Sequence, residues 1–207
     1  MPFPQSQKAE PESGDMRLRA FWTRGDVYLE VREPDAAELA RAAETLSIWY
    51  SDPSNLPMML IEKPIPPEQI PNVHHRLRAA GGRTFLLFCD GELVGDADFR
   101  HIESGRAEFA ILVGQKGRGL GTSFSILLAE LAFRHLGLHH IYLTVILANL
   151  AARRCYEKVG FRVDDSPIAR SYIDADTDIA MVLSADTLYA CHGTTLDAIT
   201  VELIPDP

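Results

Sequence analysis

Two patterns of hydrophobic and polar positions alternate along the chain: short apolar runs broken by polar turns, and longer stretches in which apolar residues recur every three to four positions. The first is the signature of strands and the second of amphipathic helices. "MRLRAF" from Met16 and "DVYLEV" from Asp26 read as two short strands around "WTRGD", after which "PDAAELARAAETLSIWY" has helical spacing with Asp35 near its start. The next segment, "SDPSNLPMMLIEKPIPPEQ", is rich in proline and has no period, which predicts an irregular loop or cover. Its Met58, Met59 and Leu60 either line an opening, pack internally or form a dimer contact. "VHHRLRAAGG" predicts a short helix closed by Gly81 or Gly82.

In "TFLLFCDGELVGDADF" two apolar runs flank Asp90-Gly91, the dipeptide of a type I′ hairpin, so an antiparallel pair is expected. "AEFAILVG" is a further strand. Beyond the glycine-rich "GQKGRGLGT", the stretch "TSFSILLAELAFRHLG" puts Phe124, Leu127, Leu128 and Leu131 on one helical face and stops at Gly137. "HIYLTVIL" then predicts a strand, "NLAARRCYEKVG" a helix ending at Gly160, and "TDIAMVLS" a late strand. The first 15 residues lack any period and read as a flexible tail. Residues 16–184 then form the domain, and 185–207 an extension in which "TLDAITVELIP" resembles one more strand, able to complete a neighbour's sheet in a homodimer.

Composition narrows the classes. A chain of 207 residues, 46% hydrophobic and 24% charged, is suited to one packed domain with additions. The net charge of -9 argues against a broad nucleic-acid-binding face and makes cationic partners more natural. Cys89, Cys155 and Cys191 are far apart and have no metal-ligand spacing, so no metal site is expected and reduced thiols in the cytoplasm fit. No stretch has the length of a membrane span, and the N-terminus has no apolar signal core.

Against that acidic background, Lys116 and Arg118 sit among Gly114, Gly117, Gly119 and Gly121 between a strand and a helix. Such a turn exposes backbone N–H groups at the positive end of the helix dipole, an arrangement suited to phosphate; a tight turn without a ligand is the alternative. A Walker A loop would need lysine where Leu120 stands. The dinucleotide fingerprint fails as well, because its third glycine would fall on Thr122 or Phe124.

Lys116-Gly117-Arg118-Gly119-Leu120-Gly121 instead resembles the pyrophosphate loop of the GNAT superfamily of acyl-CoA-dependent N-acetyltransferases, Arg/Gln-x-x-Gly-x-Gly/Ala, with lysine in the first position. "NLAARRCYEKVGF" resembles that superfamily's second signature, on the helix after the next strand. The likeness runs from about Asp26 to Ser184, and "RGDVYLEVREPDAAELA" with "WYSDP" looks most like the branch of ribosomal-protein N-terminal and spermidine acetyltransferases. It implies an α/β fold with a mixed, mostly antiparallel central sheet flanked by helices and a splayed strand pair that holds the acyl-CoA. It also implies acetyl-CoA as donor cosubstrate and direct transfer to a primary amine, on a small molecule or a protein N-terminus. A non-catalytic acyl-CoA-binding module and a phosphate-loop hydrolase remain as rivals.

The resemblance assigns the cofactor to Lys116 through Thr122, to backbone N–H near Leu112 or Val113, and to Asn149, whose other reading is a helix cap. Tyr156 matches the tyrosine that protonates the leaving thiolate, and is otherwise a packed aromatic. Glu108 is the candidate general base: if Phe109 and Ile111 enter the core, Glu108, Ala110 and Leu112 share the other face. Asp96 and Asp98, two apart, project together and either bind an amine or form a wet sheet face. His101 and Glu103 are further candidates for binding a cation or relaying its proton, and Tyr172 for a substrate contact. His74-His75 and His139-His140 read as surface or boundary residues, and Cys155 as a packed helix residue.

Overall fold

The computed structural model describes residues 16–59, 63–173 and 175–206. The expected tail over 1–15, and Leu60, lie outside the described residues. Nine strands form one sheet: β1 (Met16–Arg24), β2 (Val27–Arg32), β3 (Arg83–Cys89), β4 (Glu92–Glu103), β5 (Arg106–Val113), β6 (His140–Ile146), β7 (Arg162–Val163), β8 (Asp178–Ser184) and β9 (Thr200–Pro205). Their spatial order is β7-β8-β6-β5-β4-β3-β2-β1-β9. Neighbours are antiparallel except β5 and β6, which are parallel and joined by a helical crossover. The expected mixed, mostly antiparallel sheet is therefore present.

Six helices cover it: α1 (Ala36–Tyr50), α2 (Ile70–Ala79), α3 (Leu120–His135), α4 (Leu150–Val159), α5 (Pro167–Arg170) and α6 (Ala185–Leu196). Local chemistry sets most boundaries. Asp35 opens α1 with a capping box, accepting from Glu38 N at 2.7 Å while the Glu38 carboxylate accepts from Asp35 N at 3.1 Å. Asp90 and Gly91 both have positive φ, as the type I′ turn between β3 and β4 requires. Gly160 closes α4 in the left-handed region, at φ 112°.

One face of the sheet packs on α3, whose Phe124, Leu127, Leu128 and Leu131 are fully buried, together with α6. The second face carries α1 and α2, where Leu39, Leu46 and Ile70 form a smaller cluster with Leu86 of β3. Residues after Ala185 differ from the sequence expectation. They form α6, which no period predicts, and a strand shorter than "TLDAITVELIP" that pairs with β1 of the same chain, Met16 opposite Pro205 through Phe21 opposite Thr200. Burial of Leu188, Leu196 and Ile199 in the main core drives this placement.

Candidate active site

The β5–β6 pair opens as it leaves its base. Only Arg106, Ala107 and Glu108 pair with His140, Ile141 and Tyr142, whereas β4 follows β5 as far as Val113 and β8 follows β6 as far as Ile146. The outer ends of β5 and β6 thus splay, each held on its other side. Gly114 N donates to Val94 O at 2.8 Å, which makes Val113 and Gly95 a non-hydrogen-bonded pair. By strand alternation the N–H groups of Val113 and Ile111 face the gap, and that of Leu112 faces β4.

At the end of β5 the chain enters the glycine loop. Gly117 and Gly119 adopt φ 87° and 71°, and a Cβ at either would meet nothing within 4 Å, so the loop's outer surface is open backbone. Gly119 is the N-cap of α3 and supplies no side-chain cap, leaving the first-turn N–H groups of that helix without the usual internal acceptor. The other two glycines serve packing. A Cβ on Gly114 would lie 2.1 Å from the Trp49 indole, and one on Gly121 would lie 3.2 Å from Cys155 Sγ. Lys116 Nζ donates to Ser54 Oγ at 3.1 Å and Asn55 Oδ1 at 2.9 Å, and Arg118 donates to Gln115 at 3.0 Å on the exposed surface.

Beside the gap lies a cavity of about 670 Å³. Its floor is the face of β4 and β5 on which Asp96, Asp98 and Arg100 stand opposite Leu112, Ala110 and Glu108. Phe109 is buried with Phe99 and Phe161 on the other side, as the alternation predicts. Tyr50 at the end of α1, Met58 and Met59, and Val73 and Leu77 of α2 complete the walls on one side, with Thr144, Ile146 and Tyr156 on the other.

Burial governs the electrostatics of this cavity. It pushes the Asp96 carboxyl up to about 7, opposed by a hydrogen bond from the Tyr50 hydroxyl and reinforced by Asp98. It also pushes Asp98 up to about 6, against the pull of Arg100, whose Nε lies 3.2 Å away. These two acids are thus enclosed, and the wet-face reading of their spacing does not hold. His74 requires a second correction: it is 2% exposed, its Nε2 lies 3.6 Å from Asp96 Oδ2, and burial pushes its imidazole down to about 4, so it is neutral. Ile70, His74 and Leu77 share the inner face of α2, a spacing that could have revealed this. His75, His139 and His140 are exposed.

Glu108 Oε2 is 3.0 Å from His101 Nδ1 and 3.6 Å from Arg100 Nε. His101 lies at an irregularity in β4, with φ 52°, a conformation costly for a residue with a Cβ. Its exposed ring stacks 6.4 Å from Tyr172, which in turn stacks 5.2 Å from Tyr142. Glu103 pairs instead with Arg106 at 3.0 Å on the surface. Tyr156 packs edge-on against Phe161 and lines the cavity, so the aromatic-packing and site readings coexist. Burial raises its phenol well above the ordinary value and keeps it protonated. Asn149 caps α4 by accepting from Ala152 N at 3.1 Å. Cys155 Sγ accepts from Thr122 at 3.4 Å and its thiol is pushed up by burial, as for a packed residue. Among the described residues no cluster could hold a metal ion, and no helix is long and apolar enough to cross a membrane.

Sequence reasoning missed Tyr50, His74, Trp49 and Gly95. A Cβ on Gly95 would lie 2.1 Å from Leu112 O, so glycine there lets β4 and β5 close up beneath the cavity.

Comparison with known proteins places this geometry in context. The acetyltransferase (GNAT) domain family matches residues 29–162. The chain is 34% identical over 97 residues to the spermidine N(1)-acetyltransferase of Escherichia coli K12, a match covering 44% of this chain and 52% of that protein. It therefore spans about half the length of the curated relatives it matches. Among solved structures, Mycobacterium smegmatis RimJ in complex with CoA-disulfide is similar with TM-score 0.65 and 21% identity, over 83% of this chain and 88% of that one. The Vibrio cholerae spermidine N-acetyltransferase, solved with CoA and spermine, is similar with TM-score 0.64 and 20% identity, over 77% and 97%. These structural likenesses establish the fold.

Proposed function

The chain belongs to the GNAT acetyltransferase family, and on that premise we propose that it is an acetyl-CoA-dependent N-acetyltransferase acting directly on a primary amine. The observation that carries the reading is the junction of three features at β5: open glycine backbone at its end, a splayed gap along its outer half, and a carboxylate-bearing floor that it shares with β4. Phosphates fit the first, an extended arm the second and an amine the third.

The residues fit such a cosubstrate. Gly117 and Gly119 leave room for an anion against the N-terminus of α3, with Arg118 adding positive charge. Lys116 acts more indirectly, fixing the loop to the segment after α1. Acetyl-CoA, when bound, supplies an acyl group activated as a thioester. The Val113 N–H faces the gap where the acyl oxygen belongs, and is the backbone donor we assign to polarise it. Leu112 contributes its side chain to the floor.

An amine must lose a proton before it attacks. We assign Glu108 as the base, with His101 at its solvent side as the outlet for the proton. Tyr156 holds its proton at neutral pH and is the donor for the departing sulfur. Asn149 orients the start of α4 and with it Tyr156. The same reading places the protein in the reducing cytoplasm, where Cys89, Cys155 and Cys191 stay unpaired.

Calorimetric titration with acetyl-CoA, comparing wild type with Gly119→Glu, followed by turnover with a panel of amines, tests this reading. Binding that the substitution abolishes, together with turnover of one or more amines, supports it. Absence of CoA binding by the wild type would overturn it.

A further inference from the structure

Lys116 stands in the glycine loop, where a cation would be expected to serve the donor's phosphates, yet its ammonium is committed elsewhere. It donates to Ser54 Oγ at 3.1 Å and to Asn55 Oδ1 at 2.9 Å, both on the segment that follows α1. Arg118, two residues on, donates to Gln115 of its own loop. The two basic side chains of the loop therefore have different duties.

Asn55 is where the Lys116 contact acquires a consequence. It is 6% exposed, and each of its polar groups is used. Its Nδ2 donates to Trp49 O at 3.0 Å, its N–H donates to Asp52 O at 2.8 Å, and its carbonyl accepts from Met58 N at 2.8 Å and Met59 N at 3.1 Å. Met58 and Met59 line the cavity. Removing the ammonium would leave Oδ1 of this buried amide without its donor, and the residue that sets the turn bearing both methionines would lose one of its two side-chain anchors. A second contact runs alongside. The Trp49 indole sits so close to Gly114 that a Cβ there would lie 2.1 Å away, and Tyr50, the next residue, donates to Asp96 on the cavity floor. The loop that follows β5 is thus fastened at two points to the wall of the cavity.

We propose that Lys116 is a positioning residue for the acceptor and not a ligand of the donor's pyrophosphate: through Asn55 it holds the Met58–Met59 wall against which the acceptor's body packs. The inference rests on the acetyltransferase reading for the identity of the two ligands, but the contacts themselves do not depend on it. Open backbone at Gly117 and Gly119, with Arg118 beside it, is left to serve the phosphates.

The test uses the full chain with isotope-labelled methionine methyl groups and compares wild type with Lys116→Ala and Lys116→Arg. Lys116→Ala should shift the methyl resonances of Met58 and Met59 and leave those of Met16, on β1, and Met181, on β8, in place. By calorimetry its CoA affinity should stay within about threefold of wild type, as for the loss of one exposed charge. With acetyl-CoA saturating, its KM for any amine that wild type acetylates should rise about three- to tenfold, with kcat within about twofold. Lys116→Arg, which keeps a donor at this place, should restore KM to within about twofold of wild type. CoA affinity lowered by about tenfold or more, unmoved Met58 and Met59 methyls, or an unchanged KM would overturn the assignment even if amines are acetylated. Shifted methyls and intact CoA binding, with no amine acetylated by wild type, would support the contact through Asn55 and overturn the acetyltransferase reading instead.

Discussion

The glycine loop and the carboxylate floor are joined by β5, yet they differ in nearly every physical respect. Lys116 through Gly119 are exposed and present backbone, whereas Asp96 is 4% exposed and presents a side chain stripped of water. At the loop, removing side chains makes the site, and an anion keeps part of its hydration. On the floor, placing charge where it is costly makes the site, and the ligand must repay that cost. The first solution is general for phosphates, while the second depends on the shape and charge of one partner.

Substitutions that act on one region and spare the other test this contrast. The largest effect belongs to Gly119→Glu, which puts a negative side chain on a backbone at φ 71° where an anion is expected. Acetyl-CoA affinity should fall by more than about a hundredfold by calorimetry, while the melting temperature falls by only a few degrees, since the side chain meets open space and the left-handed backbone costs a residue with a Cβ about 1 kcal/mol. Tyr156→Phe sharpens the boundary from the other side. It should lower kcat by about ten- to a hundredfold while CoA binding stays within about twofold, since only proton donation is lost.

A third effect separates the floor by pH. The Asp96 carboxyl is raised to about 7 in the folded state, above its unfolded value, so its contribution to stability is present at low pH and lost as pH rises through 7. Asp96→Asn escapes that loss. Its melting temperature should match wild type near pH 4 and exceed it at pH 8, by an amount equivalent to about 1–3 kcal/mol. Smallest of all, Arg118→Ala should weaken CoA binding only about two- to fivefold, with a reduced salt dependence, because its guanidinium is exposed.

The same contrast explains what could be read from the sequence. Glycines in a strand-to-helix turn, Asp35 before a periodic helix and Asp90-Gly91 between apolar runs each act locally, so their meaning is visible in a few residues. Phe109 and Glu108 sort by alternation alone. The floor is different, because Tyr50, His74 and Asp96 come from three elements and meet only in the fold. Gly95 and Gly114 are required by a carbonyl and an indole distant in sequence, not by their own φ. Likewise α6, with Gly193, Thr194 and Thr195 near its end, has weak intrinsic preference and is held by Leu188 and Leu196 against the core.

The central claim is that the loop, gap and floor work together on one transfer. Its most direct test is incubation of the protein with isotopically labelled acetyl-CoA and a panel of primary amines, with mass spectrometry of both the amines and the intact protein. The account predicts labelled N-acetyl amine, unlabelled protein, and loss of product in Gly119→Glu. Label carried on the protein, or CoA bound tightly with no amine acetylated across the panel, would contradict it.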